Sequence, residues 1–236
     1  TEISELIKIK EELEEKVFLE GNIDQEIEKL KAESKKLESK CLELAGQLKT
    51  KREKSAEVIK KHVESQLSIL GMEEARFKIQ LQESEKLKNK GKDEMNWNFS
   101  ANKGAQMKAL SKVASGGELS RISLSLKNLL AQNNQLPTLI FDEIDTGVSG
   151  EIANKMGNIM QDMGKHMQLI CITHLPQIAA KGKQHYKVYK YTDENKTFST
   201  IKQLDADERI KEVTAMLGGD QNSDAAKQHA RTLFKN

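Results

Sequence analysis

Residues suited to phosphate chemistry follow one another in order between Ser115 and His174. They are a Ser115-Gly116-Gly117-Glu118 turn, an apolar run ending in Asp142-Glu143, and a second apolar run ending in Thr173-His174. The turn stands just ahead of a helical pattern that begins near Glu118 and Leu119. A helix start offers unpaired N–H groups and the positive end of the macrodipole to an anion, and glycines let the backbone come close to it. Thr138 to Phe141, after Pro137, reads as a buried parallel strand, so Asp142 and Glu143 fall at its carboxyl end, where such sheets bind ligands. Two adjacent carboxylates there can divide the work: Asp142 would hold Mg²⁺ through water, and Glu143 would polarise the water attacking a terminal phosphate. Leu169 to Thr173 reads as a second buried strand that delivers His174 to the same edge, where its ring can contact a γ-phosphate. Each signal alone is commonplace, being an ordinary turn, a solvated loop start or a structural histidine. Their joint order carries the inference.

That order and spacing resemble the last three nucleotide motifs of ABC-type ATPases. The resemblance is narrower still. Val113-Ala114-Ser115-Gly116-Gly117-Glu118-Leu119-Ser120-Arg121, the run Phe141 to Gly150, and Ile172 to Ala180 resemble the RecN family of SMC-like ATPases. So do Leu48 to Met72, with Arg52 and Leu70-Gly71-Met72, and the Arg-x-x-Glu-x-x-x-Met-Leu-Gly-Gly pattern from Arg209 to Gly219. The resemblance implies ATP and Mg²⁺ as cofactors and a homodimer of heads bridged by ATP. It also implies that Ser115, Gly116, Gly117 and Glu118 act in trans on nucleotide held by the facing copy, and that the protein acts on DNA double-strand breaks in recombinational repair. Two positions depart from the wider ABC pattern: Ala114 stands where most signatures begin with Leu, and Ser149 stands where the loop after the catalytic Glu carries an Asp. Both variants fit the RecN pattern and weaken a transporter reading. The resemblance implies that the loop containing Asp145 and Ser149 couples the two active sites.

A Gly-x-x-x-x-Gly-Lys-Ser/Thr phosphate loop does not occur in the sequence, since Gly164-Lys165 is followed by His166 and Gly157 lies too far upstream. The chain also begins at Thr1 within a helical pattern. The expectation is a C-terminal portion whose partner, an N-terminal lobe of the same protein, carries that loop. Alone, the chain is expected not to hydrolyse ATP.

The elements that must position these residues can be laid out from pattern. Ile27, Leu30, Ser34, Leu37, Cys41, Leu44, Leu48, Lys51, Ser55, Val58 and His62 follow alternating steps of four and three, a coiled-coil seam weakened by its polar members. Ile3, Leu6, Lys10, Leu13 and Val17 keep a similar rhythm but fall out of phase at Gly21-Asn22, where a break or kink is predicted. Residues 1–70 therefore read as a coiled-coil arm re-entering a head, and 71–236 as the head lobe. In that lobe, Phe77 to Leu81 and Trp97 to Phe99 read as neighbouring strands, and 101–114 as a loop. Helix 117–132 leads to strand 138–142, and helix 150–164 leads to strand 168–173, a parallel α/β unit. A hairpin turning at Asp193-Glu194-Asn195, a helix capped by Asp205 and ended by Gly218-Gly219, and a last helix complete the chain.

Composition agrees: 31% charged and 4% aromatic residues suit a chain with much solvated helix. A net charge of +2 decides little, but Lys49-Lys51-Arg52-Lys54, Lys60-Lys61 and Lys86-Lys88-Lys90-Lys92 form clusters able to neutralise DNA phosphates without reading bases. No zinc spacing or stacking platform points to sequence-specific recognition. Cys41 on the seam and Cys171 in a strand suggest neither disulfide nor metal, consistent with a reducing cytoplasm. No apolar stretch approaches the ~20 residues needed to span a membrane. The reading is thus an α/β fold, the C-terminal lobe of an ABC-type ATPase head (parallel sheet with helices), preceded by a long coiled-coil arm and located in the cytoplasm with the nucleoid. A non-catalytic SMC-like scaffold is the alternative, and a transporter nucleotide-binding subunit a more distant one.

Overall fold

A computed structural model describes residues 2–112, 115–133, 137–193, 196–218, 220 and 223–235. Val113 and Ala114 of the signature resemblance, the Glu194-Asn195 turn and Gly219 lie outside the described residues. The first element is one helix, α1, Glu2–Ile69. It runs through Gly21-Asn22 without the expected break. An interior Gly costs only ~1 kcal/mol relative to Ala, and Asn less, so strong helix formers on either side can carry the helix across.

The chain falls into two compact units, and their division does not follow the expected boundary at residue 70. The first comprises Thr1–Ser55 with Leu81–Asn96. It holds most of α1 and the far end of an antiparallel ribbon made by β1 (Arg76–Lys88) and β2 (Gly91–Ser100). Within this unit the ribbon tip is tied to α1 by Arg52. Its Nη1 meets Asp93 Oδ2 at 3.1 Å, with the Asp93 side chain 2% exposed, and its Nη2 donates to Lys90 O at 2.7 Å. Farther out, Leu6, Leu13, Val17, Ile27, Leu30 and Leu37 are all exposed, an apolar stripe uncovered in the single chain.

The second unit comprises Ala56–Gln80 and Trp97–Asn236. The last turns of α1 belong to it: Val63 and Leu67 are fully buried with Met72, Phe77, Phe99 and Ile122, and Ile59 packs against them. The helix ends in a Schellman arrangement, with Met72 N–H donating to Leu67 O at 2.8 Å and Gly71 N–H to Ser68 O at 3.1 Å. Gly71 sits at φ 78°, a left-handed conformation that favours glycine, and a Cβ there would come 2.5 Å from the terminal Ile152 Cδ1, which would have to shift. A short β3 (Lys108–Ala109) pairs with β2 inside the stretch expected to be loop.

The α/β unit follows in the expected order: α2 (Gly116–Asn133), β4 (Thr138–Asp142), α3 (Gly150–Met163), β5 (Gln168–Ile172) and a short α4 (Pro176–Ala179). β4 and β5 pair in parallel, Thr138 opposite Gln168 and Asp142 opposite Ile172. Leu139, Phe141, Leu169 and Cys171 face the core with Leu124, Met156, Met160 and Ile178. The other face corrects the reading of fully buried strands, because Ile140 is 57% and Ile172 56% exposed. β6 (Tyr186–Asp193) and β7 (Lys196–Gln203) form the hairpin, and α5 (Ala206–Met216) and α6 (Asp224–Lys235) close the chain. α5 opens with a full capping box between Asp205 and Glu208.

Candidate functional site at the carboxyl edge of the parallel sheet

Because β4 and β5 are parallel and in register, both deliver their following residues to one edge. β4 places Asp142 and Glu143 there, and β5 runs through Ile172 to Thr173 and His174. Asp142, Glu143 and His174 are all exposed. Asp142 alternates away from Phe141 and so lies on the uncovered face with Ile140 and Ile172. Glu143 adopts φ 51°, an uncommon conformation for a residue with a side chain. Its carbonyl accepts from Thr146 N–H at 3.2 Å and Thr146 Oγ1 at 2.9 Å, closing a turn directly after the strand.

That turn encloses Asp145, which is fully buried. Its Oδ2 accepts from the Thr173 hydroxyl and from His174 N–H at 3.2 Å, and His174 Nδ1 lies 3.4 Å from the same oxygen. The other oxygen, Oδ1, is buried without a hydrogen-bond partner among the described residues. The sequence reading placed Asp145 only in a loop and gave it no structural task, because its contacts reach 28 and 29 residues along the chain. Cys171, beneath this site, is made inert by its surroundings: burial, aided by the Asp145 charge, pushes its thiol up to about 12.

The Ser115 turn belongs to the same unit and adjoins the loop that follows Glu143. Ser115 and Gly116 are exposed, and Ser115 O accepts the α2 hydrogen bond from Leu119 N–H at 3.1 Å. The helix starts at Gly116, so Gly117 and the half-buried Glu118 belong to its first turn rather than preceding it. Gly117 packs on the loop after Glu143: a Cβ there would lie 3.1 Å from Gly147 O. Arg121, quoted above only as part of a motif, is a tether: its Nε donates to Gly117 O and its Nη1 to Leu70 O, each at 3.1 Å. One guanidinium thereby joins the end of α1 to the start of α2. Ser149 is exposed and stands at the N-cap of α3 without a side-chain capping bond. Arg209 of the C-terminal motif donates to the carbonyls of Lys183 and Gly182 beyond α4 and lies over the Phe234 ring, a structural clamp.

The acidic edge suits a magnesium ion shared with phosphate. Mg²⁺ keeps most of its waters and needs only one or two protein carboxylates, and Asp142 offers one at the strand end. No cluster of three or more His, Cys, Asp or Glu able to cage a metal occurs among the described residues. The basic clusters are less free than their sequence suggests. Arg52, Lys92 and Lys88 pair with Asp93, Glu83 and Glu94, and Lys49 lies 3.8 Å from Glu83. Lys51, Lys54, Lys86 and Lys90 remain exposed. No described helix is long and apolar enough to cross a membrane.

No family model matches the chain. It is 36% identical over 191 residues to DNA repair protein RecN of Haemophilus influenzae, covering 80% of this chain and 34% of that protein. It is 35% identical over 212 residues to DNA repair protein RecN of Vibrio cholerae, covering 89% and 38%. With DNA repair protein RecN of Treponema pallidum the identity is 36% over 214 residues, covering 88% and 37%. The chain thus spans 34–38% of the length of these relatives. Among solved structures, the Smc head domain with a coiled coil and joint from Pyrococcus yayanosii superposes with a TM-score of 0.54 at 18% identity, over 67% of this chain and 29% of that one. The Smc head domain with an extended coiled coil from Pyrococcus furiosus gives 0.51 at 18%, over 68% and 38%. At that identity the likeness is one of fold: an α/β lobe of the SMC head type preceded by a coiled-coil helix.

Proposed function

The chain is RecN-like along most of its length, and from that premise we propose that it forms one lobe of an SMC-like ATPase head acting in recombinational repair of DNA double-strand breaks. In this reading Glu143 orients or deprotonates the attacking water, Asp142 supports Mg²⁺ through water, and His174 contacts the γ-phosphate. Mg²⁺ would supply charge neutralisation to the phosphates. Ser115, Gly116, Gly117 and Glu118 meet the nucleotide of a facing copy, with Asp145 and Ser149 in the loop between the two sites. Hydrolysis then requires ATP-bridged dimerisation, and the chain alone does not turn over.

The observation that carries this reading is the delivery of Asp142, Glu143 and His174 to one edge of the β4–β5 sheet while the Ser115 turn stands exposed. The uncovered Ile140 and Ile172 face supports a further lobe, because parallel sheets are normally covered on both sides. That lobe of the same protein would bring the phosphate-binding loop. The exposed stripe of α1 suits the other strand of an antiparallel arm. DNA contacts fall to the uncommitted Lys51, Lys54, Lys86 and Lys90, which can neutralise phosphates in the cytoplasm or nucleoid without reading sequence.

Glu143→Gln tests the assignment in a protein that carries this sequence with its phosphate loop. ATP binding should persist, turnover should fall by about 10²-fold or more, and closed dimers should accumulate in size-exclusion chromatography with ATP. Unchanged turnover would remove Glu143 from its role and favour the scaffold alternative.

A further inference from the structure

We propose that Arg121 is the positioning residue of the Ser115-Gly117 turn, clamping the first turn of α2 to the backbone at the end of α1 so that the turn stands at a fixed place for a facing copy's nucleotide. This rests on the reading that the Ser115 turn acts in trans, and it names what holds that turn.

The turn cannot hold itself. Gly116 and Gly117 open α2, yet glycine is among the weakest helix formers. Ser115 and Gly116 are exposed, Leu119 is 46% exposed, and the first buried apolar side chain of the helix is Ile122. The apolar face of α2 therefore anchors the helix only from its second turn onward. Two grips supply what the first turn lacks, and both close on Gly117. On one side Arg121 Nε donates to Gly117 O and Nη1 to Leu70 O, each at 3.1 Å. On the other, a Cβ added to Gly117 would lie 3.1 Å from Gly147 O and 3.5 Å from Thr146 O, so the helix start rests on the backbone of the loop after Glu143. Both supports are anchored in one core, because the buried Leu70 side chain shares a hydrophobic cluster with Ile144 and Val148, which flank that loop. At the end of α1, Met72 and Gly71 N–H donate to Leu67 O and Ser68 O, and Arg121 supplies the donor for Leu70 O, one residue past the helix. The planar guanidinium sets its donors at fixed angles, so one side chain holds two carbonyls at once, a task to which a lysine ammonium on a flexible stem is poorly suited. Ahead of the grip, a Cβ on Gly116 would meet no described atom within 4 Å, which leaves room for an incoming phosphate. Arg121 touches no reacting atom. It acts through the turn, and so in the site of the facing copy.

Mixed dimers of an ATP-hydrolysing protein that contains this sequence test the assignment. Arg121→Ala should lower kcat by about 10²-fold, the cost of a misplaced turn, while its own head still binds ATP. Glu143→Gln supplies an intact Ser115 turn beside a disabled Glu143. Co-expressed, the two should regain turnover, because the intact Glu143 of one copy then faces the intact turn of the other. Ser115→Arg co-expressed with Glu143→Gln is the control and should regain it likewise. If the control recovers and the Arg121→Ala mixture does not, Arg121 serves its own copy's site or the fold at large, and the proposal is overturned. If the control itself stays inactive, the trans reading fails and takes the proposal with it. Arg121→Lys, which keeps a good helix former and one donor, covers the case in which Arg121→Ala does not fold. It should lose turnover alone and regain it beside Glu143→Gln, and full turnover alone would overturn the proposal.

Discussion

The two ends of α1 obey the same apolar rhythm and meet opposite fates. Toward the N-terminus the stripe through Leu6, Leu13, Val17, Ile27, Leu30 and Leu37 is exposed, whereas from Ile59 through Val63 and Leu67 to Leu70 it is packed into hydrophobic core. The buried stripe is also displaced by one residue from the seam that predicts it, since Val58 is exposed while Ile59 packs inward. Periodicity identifies a helix with something to bury. It does not say whether the surface that buries it belongs to the same chain.

Three measurements sharpen or break this contrast. The largest effect belongs to Leu67→Ala, which opens a cavity between α1, Phe77 and Ile122 and should cost about 2–5 kcal/mol in denaturant unfolding of the chain. A cost below about 1 kcal/mol would deny that the proximal stripe is core. A smaller effect comes from acid. His62, on the proximal part of α1, has its pKa lowered from 6.5 by burial, against the opposing hydrogen bonds to Ser125 and Asn128, and His185 is likewise lowered by burial. The unfolded rings take up protons before the folded ones do. Their contribution is therefore complete above pH 6.5 and is lost as pH falls through and below that value, down to the lowered folded pKa values. Unfolding midpoints should fall from pH 7.5 to pH 5 (about 2.5 units spanning that window), less steeply in His62→Gln. An equal slope in that variant would exclude His62. The smallest effect is expected at Leu13, 55% exposed: Leu13→Ala should change the stability of the isolated chain by no more than about 0.5 kcal/mol. A larger loss would mean that the distal stripe already has a partner, such as a second copy, and sedimentation would reveal it.

The sequence was most legible where local signals were strong. β4, α3, β5 and α5 fall within a residue or two of expectation, because Pro137, the Gly150 region and the Asp205-Glu208 cap mark their ends. β1 and β2 reach much farther than Phe77–Leu81 and Trp97–Phe99 suggest. Their outer halves are charged and largely exposed, so no alternation betrays them. At the site, the positions of Asp142, Glu143 and His174 along the edge were readable from strand ends. The work of Asp145, Arg121 and Arg209 was not. Each acts by reaching a backbone or side-chain atom far along the chain, and spacing in sequence carries no trace of such a meeting.

The contrast between the two cysteines makes the arm experimentally addressable. Cys41 is exposed on α1, while Cys171 is partly shielded in the sheet with its thiol held at about 12. A maleimide fluorophore should therefore attach to the arm and spare the α/β lobe, giving the unaltered sequence its own reporter of whatever helix comes to lie alongside.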